Sequence, residues 1–332
     1  LKGVRSVKYC TKCVLSDNIF SVTINENGIC NYCENYEKAS KDDLVSKKEE
    51  INLKQYKKSG GYDVLLAYSG GKDSTYSLFL LKEKYKLNVL TLTFDNGFIS
   101  DKAFENIKNV TKNLVADNII IAPSYAKMKK IFQFARDDDS LPKKSLERAS
   151  SICTHCIGIV KALAYKEAIF RDIPLICFGW TPGQIGLNKQ IVALDYKMVK
   201  MNFKTLRERV VNKLGNEYLP LYLTDEFIEK NKDSLPSLFY PFPSHTYDEK
   251  EIFETISKYG WVKPEKMDSN STNCLMNSYA IKNHLDKYGF HPYALELSGL
   301  VREGVITRKE ALERISNYAQ NDIVKDIESQ LN

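Results

Sequence analysis

Four short apolar runs rich in β-favouring residues punctuate the middle of the chain: Val-Leu-Leu-Ala at 64–67, Val-Leu-Thr-Leu-Thr-Phe at 89–94, Asn-Ile-Ile-Ile at 118–121 and Pro-Leu-Ile-Cys-Phe at 174–178. Between them, apolar positions recur at helical spacing, as at 75–82 and 102–114. Near-continuous apolar strands alternating with such helices predict an α/β fold, a doubly wound parallel sheet covered on both faces. Past residue 200 the spacing is helical at 203–214 and 248–259, with the Pro-rich Tyr-Pro-Phe-Pro-Ser at 240–244 between them. That part should be mainly helical and should wall a substrate site.

Ahead of the first strand the pattern thins. Leu44, Val45, Ile51, Leu53 and Tyr56 stand isolated among charges such as Lys47-Lys48-Glu49-Glu50, which predicts a surface linker helix, and Gly60-Gly61 marks where the main domain opens. The chain therefore divides into an N-terminal segment (1–36), a linker helix (37–60), a nucleotide-binding α/β domain (61–200) and a helical substrate region (201–332).

Composition adds limits. With 332 residues, 43% of them apolar and 27% charged, the chain can bury one sizeable core plus smaller appendages. No apolar run approaches a membrane span and the first residues lack the apolar core of a signal peptide, so a cytoplasmic protein with no membrane partner is expected. The net charge of +6 is spread among interleaved acids, which disfavours a nucleic-acid partner and suits a small anionic substrate.

The first strand runs into Ser69-Gly70-Gly71-Lys72-Asp73-Ser74, with a helix expected directly after it. Two glycines remove the Cβ atoms that would hold a phosphate off the main chain, and a helix start points N–H groups and the positive dipole end at it. An anion should bind there. The spacing matches neither GxxxxGK[ST] nor GxGxxG, and the bland alternative is a glycine-rich βα turn.

In a parallel sheet the ligand sits beyond the carboxyl ends of the strands. Three loops are thereby selected: 69–74, Asp95-Asn96-Gly97-Phe98, and Gly179-Trp180-Thr181-Pro182-Gly183-Gln184. Asp73 and Asp95 are candidates to hold Mg²⁺ or position a nucleotide, because a carboxylate beside polyphosphate usually acts through a hard cation. Asp95 before Asn-Gly is equally a turn former. Trp180 and Gln184 are candidate contacts to a base or substrate, or loop packing.

Eight cysteines in a chain without an export signal point to metal or redox chemistry rather than disulfides. Cys10-Thr-Lys-Cys13 and Cys30-Asn-Tyr-Cys33 are two CxxC knuckles about sixteen residues apart, the pattern of a Cys₄ zinc ribbon. That segment is too short to bury a core, so one metal would supply its folding energy; a rubredoxin-like iron site is the alternative.

Cys153-Thr-His-Cys156 and Cys274 form a second set, with the first pair placed just ahead of a helix over 157–170, where a dipole favours thiolate. Three ligands leave a position open on zinc or a [4Fe-4S] cluster; free thiols, or a structural zinc completed by His155 or His245, are the alternatives. Cys177 reads as a buried small hydrophobe. Arg207, Arg209 and Arg302 are candidate partners for a sugar carboxylate or phosphate, or solvated helix faces.

The Ser-Gly-Gly-Lys-Asp-Ser loop resembles the phosphate loop of the ATP pyrophosphatase (PP-loop) superfamily, which cleaves ATP between the α and β phosphates and leaves an adenylated oxygen. Together with the four N-terminal cysteines, Phe94-Asp95-Asn96-Gly97, Cys153-Thr-His-Cys156, Trp180-Thr-Pro-Gly-Gln184 and Thr272-Asn-Cys-Leu275, it resembles the N-acetyl sugar amidotransferase family. Leu300-Val-Arg-Glu-Gly304 and Ile306-Thr-Arg-Lys-Glu-Ala311 resemble that family's ending.

The resemblance implies an ATP-dependent exchange of an acetamido oxygen for nitrogen on a sugar, nucleotide-linked or free, in lipopolysaccharide O-antigen or flagellar (pseudaminic-acid) glycan synthesis. The loop positions and the chemistry make Lys72, Asp73 and Asp95 the candidate catalytic groups, and Ser69, Gly70, Gly71, Ser74, Gly179, Trp180 and Gln184 further candidate nucleotide contacts. ATP, Mg²⁺ and Zn²⁺ are the implied cofactors, with a [4Fe-4S] cluster as an option. No glutaminase constellation is legible, so a glutaminase partner supplying ammonia is implied. Two rivals remain: a tRNA sulfurtransferase, which shares the loop, the knuckles and a three-cysteine cluster, and a non-catalytic zinc-ribbon protein that senses nucleotide.

Overall fold

Each strand's alternation decides which helices cover it. A computed structural model describes residues 6–38, 51–184, 190–242, 245, 247–265, 270–317 and 321–332. Its sheet has six strands in the order β3-β2-β1-β4-β6-β5: β1 Val64–Ala67, β2 Val89–Phe94, β3 Asp117–Ile121, β4 Leu175–Phe178, β5 Ile191–Val192 and β6 Ser237–Phe239. All neighbours are parallel except β5 on β6.

On β1, Leu65 points into one core with Leu90, Leu92 and Ile176, while Val64 and Leu66 point into the other with Val89, Leu175 and Cys177. Burying each such side chain contributes about 1.5–3 kcal/mol, and period-two alternation shares that gain between two faces. Helices Tyr125–Asp137, Ser151–Phe170 and Tyr196–Leu214 close the first face. Helices Lys72–Phe79, Asp101–Asn113, Glu249–Ser257 and Ala294–Arg302 close the second. The α/β doubly wound arrangement is therefore present, with a Cys₄ cluster at the N-terminal end and a helical C-terminal part.

Two expectations need correction. The sheet does not end by residue 200, because β6 pairs in parallel with β4 and draws the C-terminal region into the α/β layer. Its three residues lie between Pro236 and Pro241, too short a run for periodicity to register. Of the linker helix expected at 37–60, residues 39–50 lie outside the described residues; the rest holds the end of helix Asn31–Lys38, which belongs to the ribbon, and a 3₁₀ turn, Lys54–Tyr56. Among the described residues no helix is long and apolar enough to cross a membrane.

Candidate active site

The strand order reverses between β1 and β4, where Ala67 stands beside Phe178. Chain leaving two adjacent strands in opposite directions opens a crevice there. Ser69–Ser74 leaves β1 and Gly179–Gln184 leaves β4, so the topology brings together two of the three expected loops. They touch: a Cβ at Gly179 would lie 2.6 Å from the Ser74 Cα. Gly70 has φ +74° and packs on the helix at Ala103 and Ile107, while its carbonyl accepts from the Trp261 indole at 2.9 Å.

The helix after the loop begins at Lys72, three residues earlier than its apolar spacing suggests, with Gly71 as its N-cap. Lys72 N–H donates to Thr272 Oγ1 at 3.1 Å, and the Ser69 and Ser74 hydroxyls meet at 3.1 Å. The Lys72 ammonium is buried and donates to Tyr247 OH and Glu249 Oε1, both at 2.7 Å, with Asp73 Oδ1 at 3.3 Å. Tyr247 in turn donates to Asp73 Oδ1 at 2.5 Å, and Arg314 grips Glu249 through both carboxylate oxygens.

Burial opposes the charge on Glu249, but the Arg314 guanidinium and Lys72 ammonium overcome it and hold its pKa down at about 2. Lys72 is likewise raised, against its own burial, by Asp73 and Glu249. Burial and the Asp73 carboxylate push Tyr247 well above the ordinary phenol value.

These groups floor a cavity of about 320 Å³. Ser69, Gly71, Lys72, Asp73, Ser74, Gly179, Trp180 and Gln184 all line it. Asp95 does not: its Oδ1 accepts from the Gly97 N–H at 2.8 Å, the turn-forming alternative, and Asn96 faces the cavity in its place. Trp180 is engaged by Phe178 and Tyr240 in near-parallel stacks and by the Lys161 ammonium 4.7 Å from its ring. Gln184 Nε2 and Thr181 Oγ1 donate to the Glu296 carboxylate at 3.0 and 2.8 Å. Burial, reinforced by Asp73, raises the Glu296 pKa to about 7.

Cys153, Cys156 and Cys274 open into the same cavity. The helix carrying the first two starts at Ser151, capped by Ser150, so both thiols sit inside it rather than ahead of it. Burial raises all three thiols, Cys153 to about 11, against the thiolate expected from a helix dipole. Asn96 Nδ2 lies 3.5 Å from Cys156 Sγ and 3.6 Å from Cys274 Sγ, tying the second loop to the set.

Neither histidine joins them. His155 pairs with Asp138 at 3.0 Å, and His245 sits between Lys84 and Tyr85. Arg207 is buried against Leu223 O and Asp225, Arg209 is held by Ser140 and Asp138, and Arg302 donates to Ser298, so none of the three lines the cavity.

The N-terminal cysteines are arranged otherwise. Sγ atoms of Cys10, Cys13, Cys30 and Cys33 lie within 4.8 Å of one another, with Cys13 to Cys30 at 3.6 Å and Cys10 to Cys33 at 4.0 Å. A tetrahedral zinc with Zn–S near 2.3 Å sets its sulfurs about 3.8 Å apart, so the four fit one zinc. Backbone N–H groups of Lys12, Cys30 and Cys33 point at sulfur, which favours thiolate.

Sequence reasoning missed Tyr247, Glu249, Glu296 and Arg314, which stand singly in helical or irregular stretches, close to recognised strings but outside them. Only Thr272, beside Cys274, lay in a recognised string.

No protein-family model matches the chain. The uncharacterized protein MJ1599 of Methanocaldococcus jannaschii is 27% identical over 288 residues, 86% of this chain and 81% of that protein. Among solved structures, the chain is similar to the U34-tRNA thiolase NcsA of Methanococcus maripaludis with its [4Fe-4S] cluster, at a TM-score of 0.40 and 15% identity, covering 98% of this chain and 88% of that one. It is also similar to the NH3-dependent NAD synthetase of Campylobacter jejuni, at a TM-score of 0.36 and 14% identity, covering 89% and 93%.

Proposed function

We propose that the protein is an ATP-dependent enzyme of the PP-loop kind that adenylates the acetamido oxygen of an N-acetylated sugar and replaces it with nitrogen from ammonia, giving an acetamidino group. One observation carries the reading: the Ser69–Ser74 loop lies at the switch point of the sheet, on the floor of a cavity shared with Glu296 and three cysteines. The motif resemblance selects the sugar substrate.

The chain's own groups suit the two steps. An amide oxygen leaves poorly, so the oxygen attacks the α phosphorus of ATP, pyrophosphate departs and an O-adenylyl imidate forms; ammonia then displaces AMP. Incoming polyphosphate competes with Glu249 and Asp73 for the Lys72 ammonium, and preorganised donors of this sort offset charge that develops on the leaving pyrophosphate. Asp73, at the cavity wall, is the carboxylate suited to hold Mg²⁺, which would neutralise the phosphates. The second loop contributes Asn96 rather than Asp95. A glutaminase partner delivering ammonia belongs to the same proposal.

A second reading is favoured by the cysteines. Three thiols facing one cavity with the phosphate loop would suit a cluster that hands sulfur to an adenylated tRNA base. The scattered positive charge argues against it.

Pyrophosphate assay with candidate substrates, followed by mass spectrometry of the sugar, separates these. Release that requires an acetamido sugar plus ammonium, with oxygen exchanged for NH in the product, supports the first reading. Release that requires tRNA overturns it, and nucleotide binding without any release supports the nucleotide-sensing alternative.

A further inference from the structure

We infer that Glu296 is the proton acceptor of this site, the group that takes a proton from ammonium so that neutral ammonia can displace AMP; the role rests on the amidotransferase reading. Glu296 comes from helix Ala294–Arg302, far in sequence from the phosphate loop, and lines the same cavity. Its backbone is fixed as firmly as its side chain: a Cβ at Gly183 would lie 2.4 Å from the Glu296 carbonyl oxygen, so helix and β4 loop are in direct contact.

The partners of its carboxylate are neutral. Thr181 donates to Oε1 and Gln184 to Oε2, and each oxygen keeps a further lone pair. Among the described residues no lysine or arginine pairs with it, since Lys72 is committed to Glu249 and Asp73. A half-buried carboxylate that faces a cavity and has no cation is a place for a small cationic ligand, and ammonium has the charge, the size and the N–H donors.

The groups around it set its charge. Lys72 and Asp73 face it from helix Lys72–Phe79, Tyr247 from the segment before helix Glu249–Ser257, and Thr181 and Gln184 from the β4 loop. Burial raises its pKa most, the Thr181 hydrogen bond and Lys72 lower it, and Asp73 raises it; the balance is about 7. A base poised there is ionised in a useful fraction of molecules at neutral pH.

The step balances without another reagent. One N–H bond of ammonium breaks, its electron pair stays on nitrogen and its proton goes to a Glu296 oxygen. Ammonia adds to the imidate carbon, a proton on the added nitrogen passes to the imidate nitrogen, and the C–O bond breaks with its pair leaving on AMP. The product is an amidinium. Glu296 returns its proton to water before the next turnover.

The test uses the full-length protein with ATP, an acetamido sugar and either ammonium or hydroxylamine, which is already neutral at this pH and needs no base. With ammonium, wild-type turnover should rise and level off through a pH of about 7, and with hydroxylamine, each rate divided by the fraction of reagent present as free base, that inflection should vanish. Glu296→Gln keeps an acceptor for the Gln184 amide and offers its NH2 to the Thr181 hydroxyl, which can turn to accept, and should lose about 100-fold in turnover with ammonium but little with hydroxylamine, while the first pyrophosphate per site is still released.

Equal losses with both nucleophiles, or wild-type turnover in the variant, overturn the role while leaving the amidotransferase reading in place. Absence of sugar-dependent pyrophosphate from the wild type overturns that reading and the role with it. Should the variant not fold, the two wild-type pH profiles decide: the same inflection with both nucleophiles overturns the role.

Discussion

Gly179 and Ser74 face each other across the crest of the sheet so closely that any side chain at 179 would lie 2.6 Å from the Ser74 Cα and 2.8 Å from its nitrogen. Both are backbone atoms, which cannot swing aside as a side-chain tip can. The β4 loop thus rests on the phosphate loop, and the two set each other's position. Gly179→Ala should cost ~1–3 kcal/mol through this overpacking. Displacing the loop should also reduce pyrophosphate release at least about tenfold, since misplacement of roughly an ångström is costly in catalysis. Melting temperature and pyrophosphate release, measured on the same preparation, check both; unchanged values would mean that the loops do not meet.

The ribbon should matter to the cavity although it contributes no lining residue. Its cysteines pack with Phe290, Ala294 and Leu295, and Arg308 donates to the carbonyls of Cys13 and Cys10 at 3.0 and 3.1 Å. Ala294 and Leu295 begin the helix that carries Glu296. Cys30→Ser should therefore lose one zinc per chain and at least about 2 kcal/mol of stability, because metal binding is folding energy in so small a unit. Its turnover should fall as well. Zinc analysis paired with thermal unfolding tests this, and full stability without zinc would refute the account.

The second cysteine set should hold a cluster rather than three free thiols. Cys153, Cys156 and Cys274 face one cavity, and Asn96 Nδ2 reaches two of the three sulfurs, Cys156 at 3.5 Å and Cys274 at 3.6 Å. A metal would also convert thiols that burial keeps protonated into thiolates. Anaerobically purified protein should carry iron and inorganic sulfide besides ribbon zinc, and Cys156→Ser should lose the iron and sulfide while keeping the zinc. One zinc per chain and nothing more would end the cluster idea.

What the sequence disclosed was local. Val64–Ala67 and Val89–Phe94 declare themselves because strands buried on both faces need unbroken apolar runs, and the phosphate loop and cysteine knuckles do so because several residues of one site sit side by side. Glu249, Glu296 and Arg314 were invisible for the opposite reason. Each is one charged residue on a helix, and only the fold brings it to Lys72 or the β4 loop. Asp95 shows the converse hazard, a motif residue whose carboxylate closes a turn while its neutral neighbour Asn96 faces the cavity.

Two carboxylates of the cavity should give stability opposite dependences on pH. Glu249 is depressed from 4.5 to about 2 by Arg314 and Lys72, which outweigh its burial, so its contribution is present above pH 4.5 and is lost as pH falls through about 2. Glu296 is raised from 4.5 to about 7, mainly by burial, so the folded state favours its neutral form. Its contribution is complete below pH 4.5 and is lost as pH rises through about 7. Glu296→Gln should therefore match the wild type in acid and be more stable by ~1–3 kcal/mol in mild alkali. Glu249→Gln should cost about 2 kcal/mol or more at neutral pH, because it leaves Lys72 and Arg314 short of a buried partner, and the penalty should shrink in strong acid. Denaturant unfolding of the three proteins across this range decides it; parallel curves would mean that neither carboxylate is perturbed by its surroundings.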